Sequence, residues 1–267
     1  MPRSDMRWTT LAGILVTALL VLFLVLPVAL SAIAGLSVSY ARGFDAGFTL
    51  RWVGEVWSLY SDTMLRSLAV AGMTLAATLA IGVPGAYALA RRGGRLARVV
   101  EEIVTLPVAI PGLALALGLL FAYGSFAAFR QSTIFLVVGH TLFTLPFMMR
   151  AVGATLETID WRVLDEGAAS LGASASRRFL DVVLPNIRPG VLAGALTVVT
   201  LSIGEFNLSW MLHTPLTKTL PVGLADAYAS MRLEIASAYT LVFLLMIVPL
   251  LVGLQFAAGL SERRFAR

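Results

Sequence analysis

The sequence predicts an all-α integral membrane protein of about six transmembrane helices, with both termini and one polar connector on the cytoplasmic side. Three observations carry this. Of 267 residues, 58% are hydrophobic and only 13% charged, where soluble domains run at roughly half and a quarter. Six apolar segments are each long enough to cross a hydrocarbon core of about 30 Å, which takes roughly 20 helical residues. The basic residues are unequally shared between the two ends of those segments. Helices are required because open strands would leave backbone groups unpaired in lipid.

The spans lie near Leu11–Leu36, Met64–Ala90, Ile103–Tyr123, Ile134–Leu156, Gly190–Met211 and Ala236–Leu260. They make residues 11–260 one transmembrane domain between a tail at 1–10 and a tail at 261–267. The first span has a basic start and an "AIA" at Ala32–Ala34, both features of a signal peptide. Its apolar run exceeds the roughly 7–15 residue core of such a peptide, so it is read as a retained span. With both termini inside, fourteen of the twenty Lys and Arg residues fall on the cytoplasmic side and six outside. This is the positive-inside asymmetry, and it places the connector 157–189 in the cytoplasm.

The second span carries Ala69, Gly72, Ala76 and Ala80, a small-xxx-small rhythm expected to pack helices closely. Pro84–Gly85 in that span, and Pro107, Pro111 and Gly112 in the third, are expected to interrupt helical hydrogen bonding. Such breaks line transport cavities in some membrane proteins, although proline and glycine are also simply frequent in spanning helices. In the fifth span Glu205 is the one acidic residue placed well inside the membrane, with Asn207 beside it. A central charge costs about 2.5–3.5 kcal/mol on insertion scales. Glu205, Asn207 and Pro111 are therefore candidates for a translocation pathway or gate; a structural hydrogen bond or a lock between subunits would also account for Glu205. The outer loops, about 37–63 and 212–235, carry Trp52, Trp57 and Tyr60, and aromatic residues there commonly mark the membrane interface.

Connecting the fourth and fifth spans is "DEGAASLGASASRRFLDVVLP", Asp165 to Pro185. Trp161, Leu164, Ala168 and Leu171 recur at helical spacing and form a narrow apolar stripe. Asp160, Asp165 and Glu166 put negative charge at the start of that helix, where its dipole favours it. Gly172 suits a left-handed helix end, Ser174 or Ser176 can cap a second short helix, and Pro185 and Pro189 mark its exit. A helix–glycine turn–helix of this kind either rests on lipid headgroups or docks on another protein. The lack of bulky apolar residues, with acids beside an anionic leaflet, favours docking.

Several chemistries are missing. There are no cysteines and one lysine, Lys218, so neither a thiolate site nor a phosphate-binding loop is available. His140 and His213 lack metalloprotease spacing, and no nucleophile elbow occurs. A lone intramembrane histidine is expected to be packed and hydrogen-bonded. The expectation is a chain with no catalytic residue, no metal and no cofactor of its own. Its net charge of +5 reflects topology and calls for membrane lipids, with no nucleic-acid partner.

"DEGAASLGASASRRFLDVVLPNIRPG" closely resembles the EAA loop of the membrane subunits of bacterial ABC importers. Glu166, Gly167, Ala168, Gly172, Leu184 and Pro185 match the family pattern, with Gly167 standing where the first alanine is usual. "LPVAIPGLALALGLL" at Leu106–Leu120, "HTLFTLPFMMRAVGATLETID" at His140–Asp160 and "IGEFNLSW" at Ile203–Trp210 resemble spans of the same family, covering roughly residues 60–260. The resemblance implies a multi-pass permease subunit of the bacterial inner membrane. It implies a second permease (a similar chain or an identical copy), two ATPase subunits that hold ATP and Mg, and a periplasmic or lipid-anchored solute-binding protein. Asp165, Glu166, Gly167, Ala168, Ala169, Leu171, Gly172, Leu184 and Pro185 would then form the ATPase-coupling loop. The proline-rich third span and "IGEFN" look most like the branch that carries polyamines, phosphonates, iron(III) and similar small polar solutes. The competing class is an ion-gradient-driven secondary transporter, which calls for inverted repeats and several intramembrane ionisable residues. A membrane-embedded enzyme would need a reactive constellation that the sequence lacks.

Overall fold

The computed structural model describes residues 3–265 and resolves them into two compact units. One unit comprises the chain up to Ser61 together with Leu224–Val248; the other comprises Asp62–Gly223 and the stretch from Pro249.

The first unit opens with α1, Arg3–Ala34. Every residue from Thr10 to Val28 is exposed. A helix that is apolar all round and unburied by protein has lipid as its only suitable solvent. It ends where Gly35 meets the backbone of Ser237 and Ala238; an added Cβ would sit 2.6 Å from Ala238 Cα. The segment 37–63 contains regular structure. Strands β1 (Ser37–Ser39) and β2 (Gly43–Phe48) pair antiparallel around a short 3₁₀ turn. Trp52 donates its indole N–H to Ser37 O at 3.0 Å, so it tethers this hairpin. Arg232 donates to Glu55 at 2.6 Å and to the Tyr60 hydroxyl at 3.1 Å. The segment 212–235 likewise contains a helix, α12, from Leu220 to Ala229.

Helix α2 runs from Arg51 to Arg92, well before the expected start at Met64. At 1.5 Å per residue it is about 63 Å long, roughly twice the hydrocarbon thickness. Pro84 lies inside it without ending it. In the second unit α2 packs beside α6, Thr133–Thr158, through Val83, Ala86 and Tyr87 against Met148, Val152 and Leu156. The small-residue rhythm of α2 does not make this contact. Ala69, Gly72, Ala76 and Ala80 are all exposed, and the packed face is instead Ser67, Val70, Ala71, Thr74 and Thr78. The close helix approach occurs between α6 and α10, Arg188–Gly204. Gly190 abuts Thr155 and Ala151, and Gly194 abuts Met148.

Two expected spans are not single helices. The third consists of α3 (Gly94–Ala109) and α4 (Gly112–Tyr123), bent by 106°. Pro107 is absorbed within α3, whereas Pro111 is extended at φ −54°, ψ 135°. The fifth stops at Gly204 and resumes as α11, Asn207–Leu212, after an extended Glu205 at φ −70°, ψ 114°. A short helix α5, Ala127–Arg130, bridges α4 and α6. The final helix, α13, runs from Leu233 to Phe265 with Pro249 inside it.

Candidate functional site

The connector forms two helical pieces. After an extended Ile159, α7 covers Trp161–Ser170. Its end is a double-bonded turn: Gly172 N–H bonds Ala169 O at 2.9 Å and Ala173 N–H bonds Ala168 O at 3.0 Å. This pair needs a left-handed residue at the turn, and Gly172 supplies it at φ +81°. Ser174 then accepts from Arg177 N–H and caps α8, Ala175–Arg177. The chain continues through a π-helical stretch, Arg178–Val183, and α9, Leu184–Asn186. Pro185 does not end this run; the chain bends by 75° at Ile187 instead, and Pro189 falls in the first turn of α10, where proline is tolerated.

The inward face of α7 differs from the expected apolar stripe. Trp161 is buried, but Leu164 is exposed and Leu171 is 89% exposed. The second buried position is Asp165. Its Oδ1 accepts from the Tyr87 hydroxyl at 3.0 Å and its Oδ2 from Arg178 at 3.0 Å, with Arg91 3.9 Å away. Tyr87 also packs edge-on against Trp161 and beside Phe179. Asp165 therefore does not serve as a surface charge at the helix start. It fastens α7 to the end of α2 and to the π-helical stretch. A carboxylate in so dry a place is tolerable only because both oxygens are satisfied.

What remains outside is the opposite face. Glu166, Gly167, Ala169, Leu171 and Gly172 are exposed, and Ala168 is half-buried. Nothing within 4 Å would meet a Cβ at Gly167 or Gly172. Leu184 is half-buried against the Trp161–Tyr87 cluster, and Pro185 is half-buried beside it in sequence. The candidate coupling residues thus divide into an anchor of buried Asp165 and half-buried Leu184 and an exposed small-residue face that ends in Leu171. Beside the connector lies a cavity of about 1020 Å³ between α2, α3, α6 and the start of α7. Arg98, Arg150 and Arg162 line it together with Glu101, Glu102 and Glu157. Sequence reading did not mark it, because its charges come from three separate helices.

The intramembrane candidates converge at the two helix breaks. A Cβ on Gly112 would lie 3.2 Å from Asn207 Cβ and 3.6 Å from Glu205 Oε1. Pro111 directly precedes Gly112 at the break. Glu205 Oε1 accepts the Leu208 N–H at 2.8 Å, which satisfies one backbone donor left free at the start of α11. Behind the break, Leu208 and Leu212 are buried with Ala116, Leu119 and Leu136. His140 on α6 is the packed, hydrogen-bonded residue expected of a lone intramembrane histidine, with Ser202 and Ser209 as its partners.

Residues 80–267 match the family described as "Binding-protein-dependent transport system inner membrane component". The chain is 27% identical over 257 residues to PhnV of Salmonella choleraesuis strain SC-B67, named as a 2-aminoethylphosphonate transport system permease protein, covering 96% of this chain and 97% of that one. It is 29% identical over 214 residues to the molybdenum transport system permease protein ModB of Azotobacter vinelandii, covering 73% and 94%. Among solved structures it is similar to a chain of a bacterial ABC transporter involved in the import of the acidic polysaccharide alginate, with a TM-score of 0.72 at 17% identity over 97% of this chain and 98% of that one. It is also similar to a chain of the MetNI methionine ABC transporter in inward-facing conformations, with a TM-score of 0.64 at 20% identity over 80% and 99%. At these identities the structural likeness establishes the fold.

Proposed function

The chain belongs to the binding-protein-dependent transport system inner membrane components, and from that premise we propose that its connector transmits the movement of a separate ATPase to the breaks around Glu205. The chain is a permease component of an ABC importer. Its partners in this reading are two ATPase subunits, a second permease and a solute-binding protein. ATP and Mg belong to the ATPases.

One observation carries the proposal. The exposed face of α7 is free to enter a partner's groove, while its buried face is fastened to α2 and to the segment that leads into α10. A push on Leu171 and Gly167 therefore acts on two membrane helices through Asp165, Tyr87 and Arg178, with little slack between them. α10 leads directly to Glu205. Rocking of α10 against α4 would open or close the junction where Gly112 meets Asn207.

For the solute, the relatives named after 2-aminoethylphosphonate and molybdenum transport point to a small polar species, and the proposed solute is a phosphonate. Polyamines and iron(III) are the alternatives. The test is uptake into proteoliposomes that hold the assembled complex, with ATP enclosed and the solute-binding protein outside. Uptake that needs ATP, survives collapse of ion gradients and is competed best by 2-aminoethylphosphonate supports the proposal. Uptake driven by an ion gradient without ATP replaces it with the secondary-transporter reading. ATP-driven uptake competed better by molybdate, spermidine or iron(III) overturns only the solute.

A further inference from the structure

One imidazole bonds to both helices that flank the break between α10 and α11. His140 is only 1% exposed. Its Nδ1 lies 2.8 Å from Ser202 Oγ and its Nε2 lies 2.9 Å from Ser209 Oγ. Ser202 is on α10, three residues before Glu205, and Ser209 is on α11, four residues after it. Both ring nitrogens are thus used, and they are used on opposite sides of the break. Gly139, the residue before His140, has no side chain to keep α11 away; a Cβ there would fall 2.6 Å from Leu212 Cδ1.

We propose that His140 is a positioning residue that sets the geometry of the Glu205 break by bridging Ser202 on one side to Ser209 on the other. Between Gly204 and Asn207 the chain has lost its helical ladder, so its path depends on what binds the flanking segments. The Glu205–Leu208 bond constrains only the α11 side. A neutral imidazole offers one N–H donor and one lone-pair acceptor, and a serine hydroxyl can serve either. The bridge therefore needs no charged partner, which suits a site in the membrane. Leucine at 140 would keep the bulk and leave both hydroxyls without this partner, a loss that amounts to about tenfold or more in a local opening equilibrium. Glutamine retains one donor and one acceptor. The consequence for transport rests on Glu205 and Asn207 belonging to the pathway; the geometry of the break does not.

The chain lacks cysteine, so a single reporter thiol can be placed on it. In membranes containing the assembled importer, Phe206→Cys is labelled with a membrane-impermeant maleimide and the rate is followed on this chain. Added to that background, His140→Leu, Ser202→Ala and Ser209→Ala are expected to raise the rate about tenfold, and His140→Gln to stay within about threefold. A reporter in the other unit, Tyr228→Cys, is expected to keep its rate, which separates a local opening from general loosening. If His140→Leu fails to assemble, the two serine variants decide. A rate at position 206 that is unchanged or lower in either assembled serine variant overturns the bridge, as does an equal rise at position 228. Uptake by Glu205→Gln is measured separately. If it is normal, the pathway reading fails while the labelling result stands.

Discussion

The phenol of Tyr87, one turn from the end of α2, donates a 3.0 Å hydrogen bond to Asp165 on the connector helix. The other carboxylate oxygen takes the Arg178 guanidinium at the same distance. Removing the carboxylate leaves a half-buried guanidinium without its counter-charge, at a cost approaching the roughly 3–5 kcal/mol of a broken buried pair. Removing only the phenol hydroxyl loses one hydrogen bond, about 1 kcal/mol. Asp165→Ala is therefore expected to lower the thermal midpoint of the purified complex far more than Tyr87→Phe. Both variants should hydrolyse ATP with less uptake per ATP. Equal midpoints, or unaltered coupling in an assembled Asp165→Ala complex, would count against the fastening role.

Gly172 separates backbone strain from partner fit. Any L-residue at φ +81° is strained by about 1–2 kcal/mol, yet open space surrounds the site. Within the chain, Gly172→Ala and Gly172→Trp should thus be similarly stable. If α7 sits in an ATPase groove, only the tryptophan should lose ATPase co-purification and coupled uptake. Normal uptake by Gly172→Trp would remove the docking role.

The α6–α10 seam gives a stability test that is independent of transport. A methyl at Gly190 would lie 2.6 Å from Ala151 O and even closer to Thr155 Oγ1, and overpacking of this kind costs about 1–3 kcal/mol. Gly72, exposed on α2 with nothing near its would-be Cβ, should accept alanine with no loss and a gain of up to about 1 kcal/mol in helix propensity. Thermal midpoints of the two alanine variants in detergent, compared with the parent, decide the point.

Glu205→Gln keeps an oxygen for the Leu208 N–H and removes the charge. The complex should assemble normally and lose most of its uptake if the carboxylate faces the pathway. Wild-type uptake would exclude it from that role. Gly112→Leu should be more severe, because its side chain would enter the space of Asn207; a cysteine at 207 should then become less accessible to thiol reagents.

Much of this was legible in one dimension. Apolar length and the spacing around Gly172 each depend on properties of local sequence. Length decides whether a helix can cross the membrane, and a positive φ favours glycine. Leu171 and Asp165 show the limit. Helical periodicity grouped Leu171 with Trp161 in one apolar stripe, and the helix dipole accounted for Asp165 as a charge at the helix start; in the fold Leu171 is exposed and Asp165 is buried. A hydrophobic pattern cannot anticipate that Tyr87, seventy-eight positions away, supplies a polar partner that makes a carboxylate the better inner residue. Pro84 and Pro111 diverge for a similar reason, since the proline ring permits a break and neighbouring packing decides whether one forms.

Local sequence was enough to specify a helical membrane protein with a polar connector, because lipid leaves a segment little choice but to bond its own backbone. Folding in three dimensions settled which face of the connector is exposed, where the spans break, that Gly112 meets Glu205 and Asn207, and that His140 bonds Ser202 and Ser209. Those outcomes depend on pairs of polar groups far apart in the chain, and a buried polar group is settled only when its partner arrives.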